Sequence, residues 1–149
     1  DHIVLKDATE GENRARVTSA VITGLYIAGD DFSKDGSAEG KERAKKYLTN
    51  KDVNLLAKGR SFRPIEGNGE KSESQFMSID DVGNVYYAVF NYTERNIDMK
   101  IPFDRMNLDA STFSRGRELW RNEDVELSST ISIPAKDVKL IKIIKSANI

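Results

Sequence analysis

The sequence predicts an α+β chain in which a helical N-terminal segment packs on an antiparallel, Greek-key-like β-sandwich. Three observations predict it. Apolar residues before Gly59 recur at helical spacing, whereas those after it alternate with the period of a strand. About seven short strand-like runs follow Gly59, set apart by turn residues. A content of 38% hydrophobic and 32% charged residues suits a modest core beneath a heavily charged surface.

The elements follow in chain order. "NRARVTSAVITG" places Val17, Ala20, Val21 and Gly24 on one stripe of an amphipathic helix, and small residues there allow close approach to a neighbouring backbone. Gly24 ends that helix, and Leu25-Tyr26-Ile27-Ala28 has the length of a buried strand. "SKDGSAEG" is a loop with Ser37 as candidate N-cap, and "KERAKKYLT" is a helix with Ala44, Tyr47 and Leu48 inward. Asn50 caps a further short helix, "KDVNLLAK", which Gly59 closes. "EGNGEKSES" is a loop. "SQFMSID" and "NVYYAVFNY" form a hairpin across "DVG", and the second run is apolar on both faces, as a central strand covered twice must be. "NIDMKIPF" alternates with Ile97, Met99, Ile101 and Phe103 inward. "RELWR" pairs with "DVEL" across "NED", and "TISIP" and "DVKLIKIIK" end the chain. Lys136, Lys139, Lys142 and Lys145 read as a solvated edge whose charge discourages strand-to-strand aggregation.

Composition excludes several function classes. In 149 residues, 23 Lys and Arg balance 24 Asp and Glu, which leaves no basic excess for nucleic acid. No cysteine is present, so there is no thiolate nucleophile and no cysteine zinc site. His2 is the single imidazole. No cofactor and no metal site are expected. The longest apolar run, "AVITGLYIAG", is about half the roughly 20 residues of a membrane span. "DHIVLKDATEGENR" has neither the basic start nor the apolar middle of a signal peptide. It opens on what reads as a strand end, so the chain is expected to be part of something longer.

Asp30 and Asp31 are the first candidate site, because adjacent carboxylates end an apolar run there. One reading makes them the polar end of a strand, capping the next turn. The other places them at the active-site end of a barrel strand. Neighbours on one strand point to opposite faces, so they do not flank one scissile bond as an acid/base pair. Asp1 and His2 are an acid and an imidazole at the chain start. "NYT" at Asn91 to Thr93 matches a glycosylation acceptor. Trp120, Tyr86, Tyr87 and Tyr92 read either as core or as a sugar-stacking platform.

The order of these pieces is specific. "DHIVL", "ENRARVTSAVITGLYIAGDDFS", "LTNKDVNLLAKG" and a strand-rich tail with "NVYYAVFNYTERNIDMKIPF" resemble the α-galactosidase (melibiase-like) glycoside hydrolases over nearly the whole chain. The resemblance implies that residues 1–60 are the last β/α units of a TIM barrel and residues 61–149 the C-terminal antiparallel β-sandwich. Asp1 matches the second Asp of the family's Asp-Pro-Asp-hydrophobic stretch, which contacts substrate in the intact barrel. Asp31-Phe32 matches the Asp-Leu after the last barrel strand, which makes Asp30 and Asp31 structural strand-end residues. One departure is "NLLAKG", where many members carry Asn-Gln-Asp.

The resemblance implies hydrolysis of terminal α-linked galactose with retention, by a nucleophile and an acid/base that both lie upstream of Asp1. No catalytic residue is expected in this chain, which is expected to be inactive alone. Its partner is the galactoside substrate, met through the intact enzyme. A periplasmic or extracellular parent is expected. The alternatives are a carbohydrate-binding β-sandwich module, an α-N-acetylgalactosaminidase parent, and a regulatory or oligomerisation domain.

Overall fold

A computed structural model of the chain describes residues 7–23, 38–57, 61–65 and 73–147. Helix α1 spans Glu10–Thr23, α2 Ala38–Leu48 and α3 Lys51–Asn54, the last continuing as a 3-10 turn over Leu55–Ala57. Among the described residues eight strands follow: β1 (Arg63–Pro64), β2 (Gln75–Ile79), β3 (Val85–Asn91), β4 (Ile97–Met99), β5 (Phe113–Glu118), β6 (Glu123–Val125), β7 (Ile131–Ile133) and β8 (Asp137–Lys145). Six make one sheet in the order β1-β2-β3-β8-β5-β6, every pairing antiparallel, while β4 pairs with β7 in a second sheet.

Local chemistry explains where the helices start. In α1 the Glu12 N–H donates to Thr9 Oγ1 at 3.1 Å and the Thr9 N–H to Glu12 Oε1 at 3.4 Å. This is a reciprocal capping box that satisfies two otherwise orphaned donors. Its Thr-x-x-Glu spacing stands plainly in the sequence. Asn50 caps α3 as expected, accepting from the Val53 N–H at 3.2 Å. The stripe of α1 also matches expectation, with Val17, Ala20 and Val21 buried. Ser37, Gly24, Gly59 and the "LYIA" run lie outside the described residues.

The large sheet is covered twice. On one side Val17, Ala20 and Val21 of α1, Tyr47 of α2, Val53 of α3 and Leu56 meet Tyr86, Ala88, Phe90, Leu119, Val138 and Leu140. On the other, Val85, Tyr87, Val89, Ile141 and Ile143 meet Ile101, Met106, Ile131 and Ile133. All seven residues of β3 are buried, as its unbroken apolar run predicts.

Two expectations need correction. The strand carrying Lys139, Lys142 and Lys145 is no edge, because β8 lies between β3 and β5. Between its lysines stand Val138, Leu140, Ile141 and Ile143, all buried, and they draw the strand to the middle. Lys139 and Lys142 are half-buried and Lys145 is exposed, and Lys142 Nζ lies 5.9 Å from the Tyr86 ring centroid. The second concerns the hairpin after Arg117. Glu118 pairs with Glu123, so the turn is Leu119 to Asn122 and not "NED". Asn122 takes the left-handed position at φ 56°, which an Asn tolerates.

Gly11 makes the contact between α1 and the start of β8 possible. A Cβ there would stand 2.8 Å from both Lys136 O and Asp137 Cγ. Within a helix, alanine normally outdoes glycine by about 1 kcal/mol. Here the main-chain carbonyl has little room to retreat. Gly11→Ala is therefore expected to destabilise the chain by about 1–3 kcal/mol, the usual range for overpacking. The urea midpoint checks it, and a stabilised variant would show that α1 can slide along the sheet.

Candidate functional site

Asp1, Asp30 and Asp31, like His2, lie outside the described residues. Among the described residues the nearest thing to a paired-carboxylate site is Glu118 with Asp137. Glu118 ends β5 and Asp137 begins β8, and they are 1% and 3% exposed. Arg121, in the turn after β5, bridges them: Nη1 reaches Glu118 Oε1 at 2.9 Å and Nη2 reaches Asp137 Oδ2 at 2.8 Å. Arg14 of α1 grips Asp137 from the other side, with Nε to Oδ1 at 3.1 Å and Nη2 to Oδ2 at 2.6 Å.

The remaining lone pairs are also used. Asp137 Oδ1 accepts from the Val138 N–H at 2.7 Å, and Glu118 accepts from the Trp120 N–H at 3.0 and 3.1 Å. Burial pushes the Glu118 carboxyl above its ordinary 4.5, a rise that Arg121 only partly offsets. Burial pushes Asp137 the same way. There the Arg14 and Val138 hydrogen bonds and the two guanidinium charges outweigh it, and the carboxyl lies below its ordinary 3.8. Neither carboxylate is open to a substrate, so this is a clamp between α1 and the sheet and not an acid/base pair.

Trp120 extends the clamp. Its Nε1 donates to Thr18 Oγ1 of α1 at 2.8 Å, and its ring meets Tyr47 of α2 edge-on at 6.4 Å. The four aromatics of interest therefore separate. Tyr86 and Tyr87 are core residues on opposite faces of β3, Trp120 is half-buried at the helix joint, and Tyr92 is 58% exposed. They form no common platform. Asn91 is 2% exposed, and its amide donates to Arg95 O at 2.7 Å, Ile133 O at 3.0 Å and Pro134 O at 3.1 Å. Its nitrogen is thus committed to holding β3 to the loop after β7, which leaves no glycosylation acceptor.

No group of three or more acidic, His or Cys side chains among the described residues is placed to hold a metal. No helix among them is long and apolar enough to cross a membrane. Sequence reasoning missed Arg14, Glu118, Arg121 and Asp137. A charge inside or at the mouth of an apolar strand, as in "RELWR" and "KDVKL", was the available signal, since such a charge is buried only when paired.

The fold and this clamp define a class: an antiparallel β-sandwich joined by a polar, aromatic seam to a layer of helices. Residues 77–143 match the model of the alpha galactosidase C-terminal beta sandwich domain. The likeness in fold reaches further, over the helices. Alpha-galactosidase I from Mortierella vinacea superposes with a TM-score of 0.68 at 18% identity, over 96% of this chain and 38% of that one. A β-L-arabinopyranosidase from Geobacillus stearothermophilus gives 0.72 at 18% identity, over 97% and 32%. The α-galactosidase from Saccharomyces cerevisiae, solved with raffinose, gives 0.65 at 10% identity, over 97% and 45%. The chain thus spans less than half the length of each. A search of curated proteins gives no match.

Asp137→Ala leaves two guanidinium groups without their buried partner and is expected to cost about 3–5 kcal/mol at neutral pH. The depressed carboxyl of Asp137 contributes stability above its unfolded value of 3.8, lost as pH falls through the folded value. Glu118 acts oppositely: its raised carboxyl favours the fold below the unfolded 4.5, a contribution lost as pH rises through the folded value. Urea denaturation from neutral to strongly acid solution should show the Asp137→Ala penalty shrinking in acid. Relative to wild type, Glu118→Gln should fare better at neutral pH than in acid.

Proposed function

We propose that this chain is the C-terminal part of a retaining glycoside hydrolase that removes terminal α-linked galactose. Residues 1–60 supply the last β/α units of its catalytic barrel, and residues 61–149 form the accessory sandwich. The observation that carries the reading is the family match over residues 77–143, in a chain whose sandwich is clamped to helices by Arg14, Asp137, Arg121 and Trp120. The sandwich acts structurally. It covers an apolar helix face that would otherwise meet water, and it holds that face at a set angle.

In this reading Asp1 contacts the galactoside in the intact barrel, while Asp30 and Asp31 order the loop after the last barrel strand. The nucleophile and acid/base come from upstream. Retention requires two carboxyl groups roughly 5–5.5 Å apart across an open sugar site. Glu118 and Asp137 do not meet that requirement, because both are saturated by guanidinium and main-chain hydrogen bonds. The sandwich does not choose the sugar, consistent with a β-L-arabinopyranosidase among the proteins that share its fold.

Two assays on an aryl α-galactoside test the proposal. The 149-residue chain alone should show no turnover, whereas the intact enzyme containing it should release galactose with its anomeric configuration retained, read by NMR in the first minutes. Asp1→Asn in the intact enzyme should lower kcat/KM by about tenfold or more, the loss of one charge-assisted hydrogen bond. Turnover that copurifies with the short chain would overturn the reading, as would an intact enzyme inert toward α-galactosides.

A further inference from the structure

One feature of the described surface takes no part in the clamp. Tyr92, just past the end of β3, is 58% exposed, yet its ring is held on two sides. It stacks on Phe90 at 5.9 Å with the planes 13° apart, and Phe90 in turn meets Phe76 edge-on at 5.9 Å. The Tyr92 hydroxyl donates to Glu73 O at 2.9 Å, which fixes the ring's rotation about the strand end. A large aromatic held this firmly in view of solvent loses little freedom when something settles on it.

The ring lines a groove of about 380 Å³ between the strand end and the outer face of α1. Glu12, Arg16 and Ser19 line it from the helix, and Lys136, ion-paired to Glu94 at 2.9 Å, lines it from the sheet. The volume lies in the range of small-molecule sites, roughly 300–1,000 Å³, and is too small for a helix or a folded partner. Its walls carry both signs of charge, which suits a neutral ligand rich in hydroxyls better than an anion or a cation. An aromatic floor with a rim of charged and hydroxyl side chains matches a pyranose. The sugar's apolar C–H face lies on the ring, and its hydroxyls both donate to and accept from the rim.

We infer that this groove is a saccharide-binding subsite, with one hexopyranose stacked on Tyr92 and hydrogen-bonded by Glu12, Arg16, Ser19 and Lys136. The site belongs to the sandwich–helix unit itself and does not depend on the catalytic reading above. Its function is to hold a saccharide chain on the protein surface without cleaving it.

The test is an amide NMR titration of the whole chain with galactose and with raffinose. Saturable shifts at Ala15, Ser19 and Asn91 to Thr93, with a midpoint in the millimolar range, are expected. Tyr92→Ser should weaken binding at least about tenfold, whereas Tyr92→Phe, which keeps the ring, should stay within about threefold of wild type. Ser19→Trp fills the groove from the helix side and should abolish the shifts with Tyr92 in place. Unchanged thermal unfolding establishes that each variant is folded. The inference is overturned by shifts that persist in Tyr92→Ser, by shifts that map elsewhere, or by none at all. Changes that follow protein concentration rather than sugar would indicate a second copy in the groove and overturn it equally. Any of these results leaves the hydrolase proposal standing, because that proposal is read by turnover in the intact enzyme.

Discussion

β3 and β8 lie side by side, and both are apolar on their two faces. Val85, Tyr87 and Val89 point one way and Tyr86, Ala88 and Phe90 the other, with Ile141 and Ile143 beside the first set and Val138 and Leu140 beside the second. A strand pair of this kind is unstable beneath a single layer, because whichever face remained bare would present a wide apolar patch to water. The small β4–β7 sheet with its flanking loops answers one face. The helices answer the other. The helical layer is therefore part of what allows the sheet to exist in this form, whatever else those residues do in a longer protein.

Apolar contact alone leaves the helix free to slide, since it is nearly indifferent to direction. The bidentate pair of Arg14 with Asp137 is directional, and Arg121 ties the same carboxylate to Glu118 and the Val138 carbonyl. Gly11 permits the approach that brings these groups together. The seam therefore combines a layer that supplies affinity with a few polar groups that supply orientation. A buried charge cluster of this kind is costly to desolvate, and here no buried side-chain nitrogen or oxygen among the described residues is left without a partner.

Much of the architecture is legible in the sequence because it is local or periodic. The α1 stripe, the Asn50 cap, the hairpin across "DVG" and the doubly apolar β3 all need only a window of neighbours. What escapes such a window is relational. A lysine at every third position of β8 looks like an edge strand, and only the competition of four buried aliphatics for the centre shows otherwise. The clamp is less legible still, as Arg14 and Asp137 stand 123 residues apart. "NYT" has the right letters for a glycan, but its asparagine is spent on three carbonyls that no triplet reveals. Asp30 and Asp31 stand out as adjacent carboxylates and Asp1 as an acid at the chain start, their roles come from the resemblance, and all three lie outside the described residues.

Trp120 is the single tryptophan of the chain. It stands where α1, α2 and the turn after β5 converge, with its indole N–H on Thr18 and its ring edge against Tyr47. The protein thus carries a built-in fluorophore at its own seam. Emission at the red edge of the spectrum and its anisotropy describe how tightly helices and sandwich are joined, while far-ultraviolet circular dichroism describes the strands themselves. Divergence of the two signals on heating would separate undocking of the layers from melting of the sheet, with no label attached.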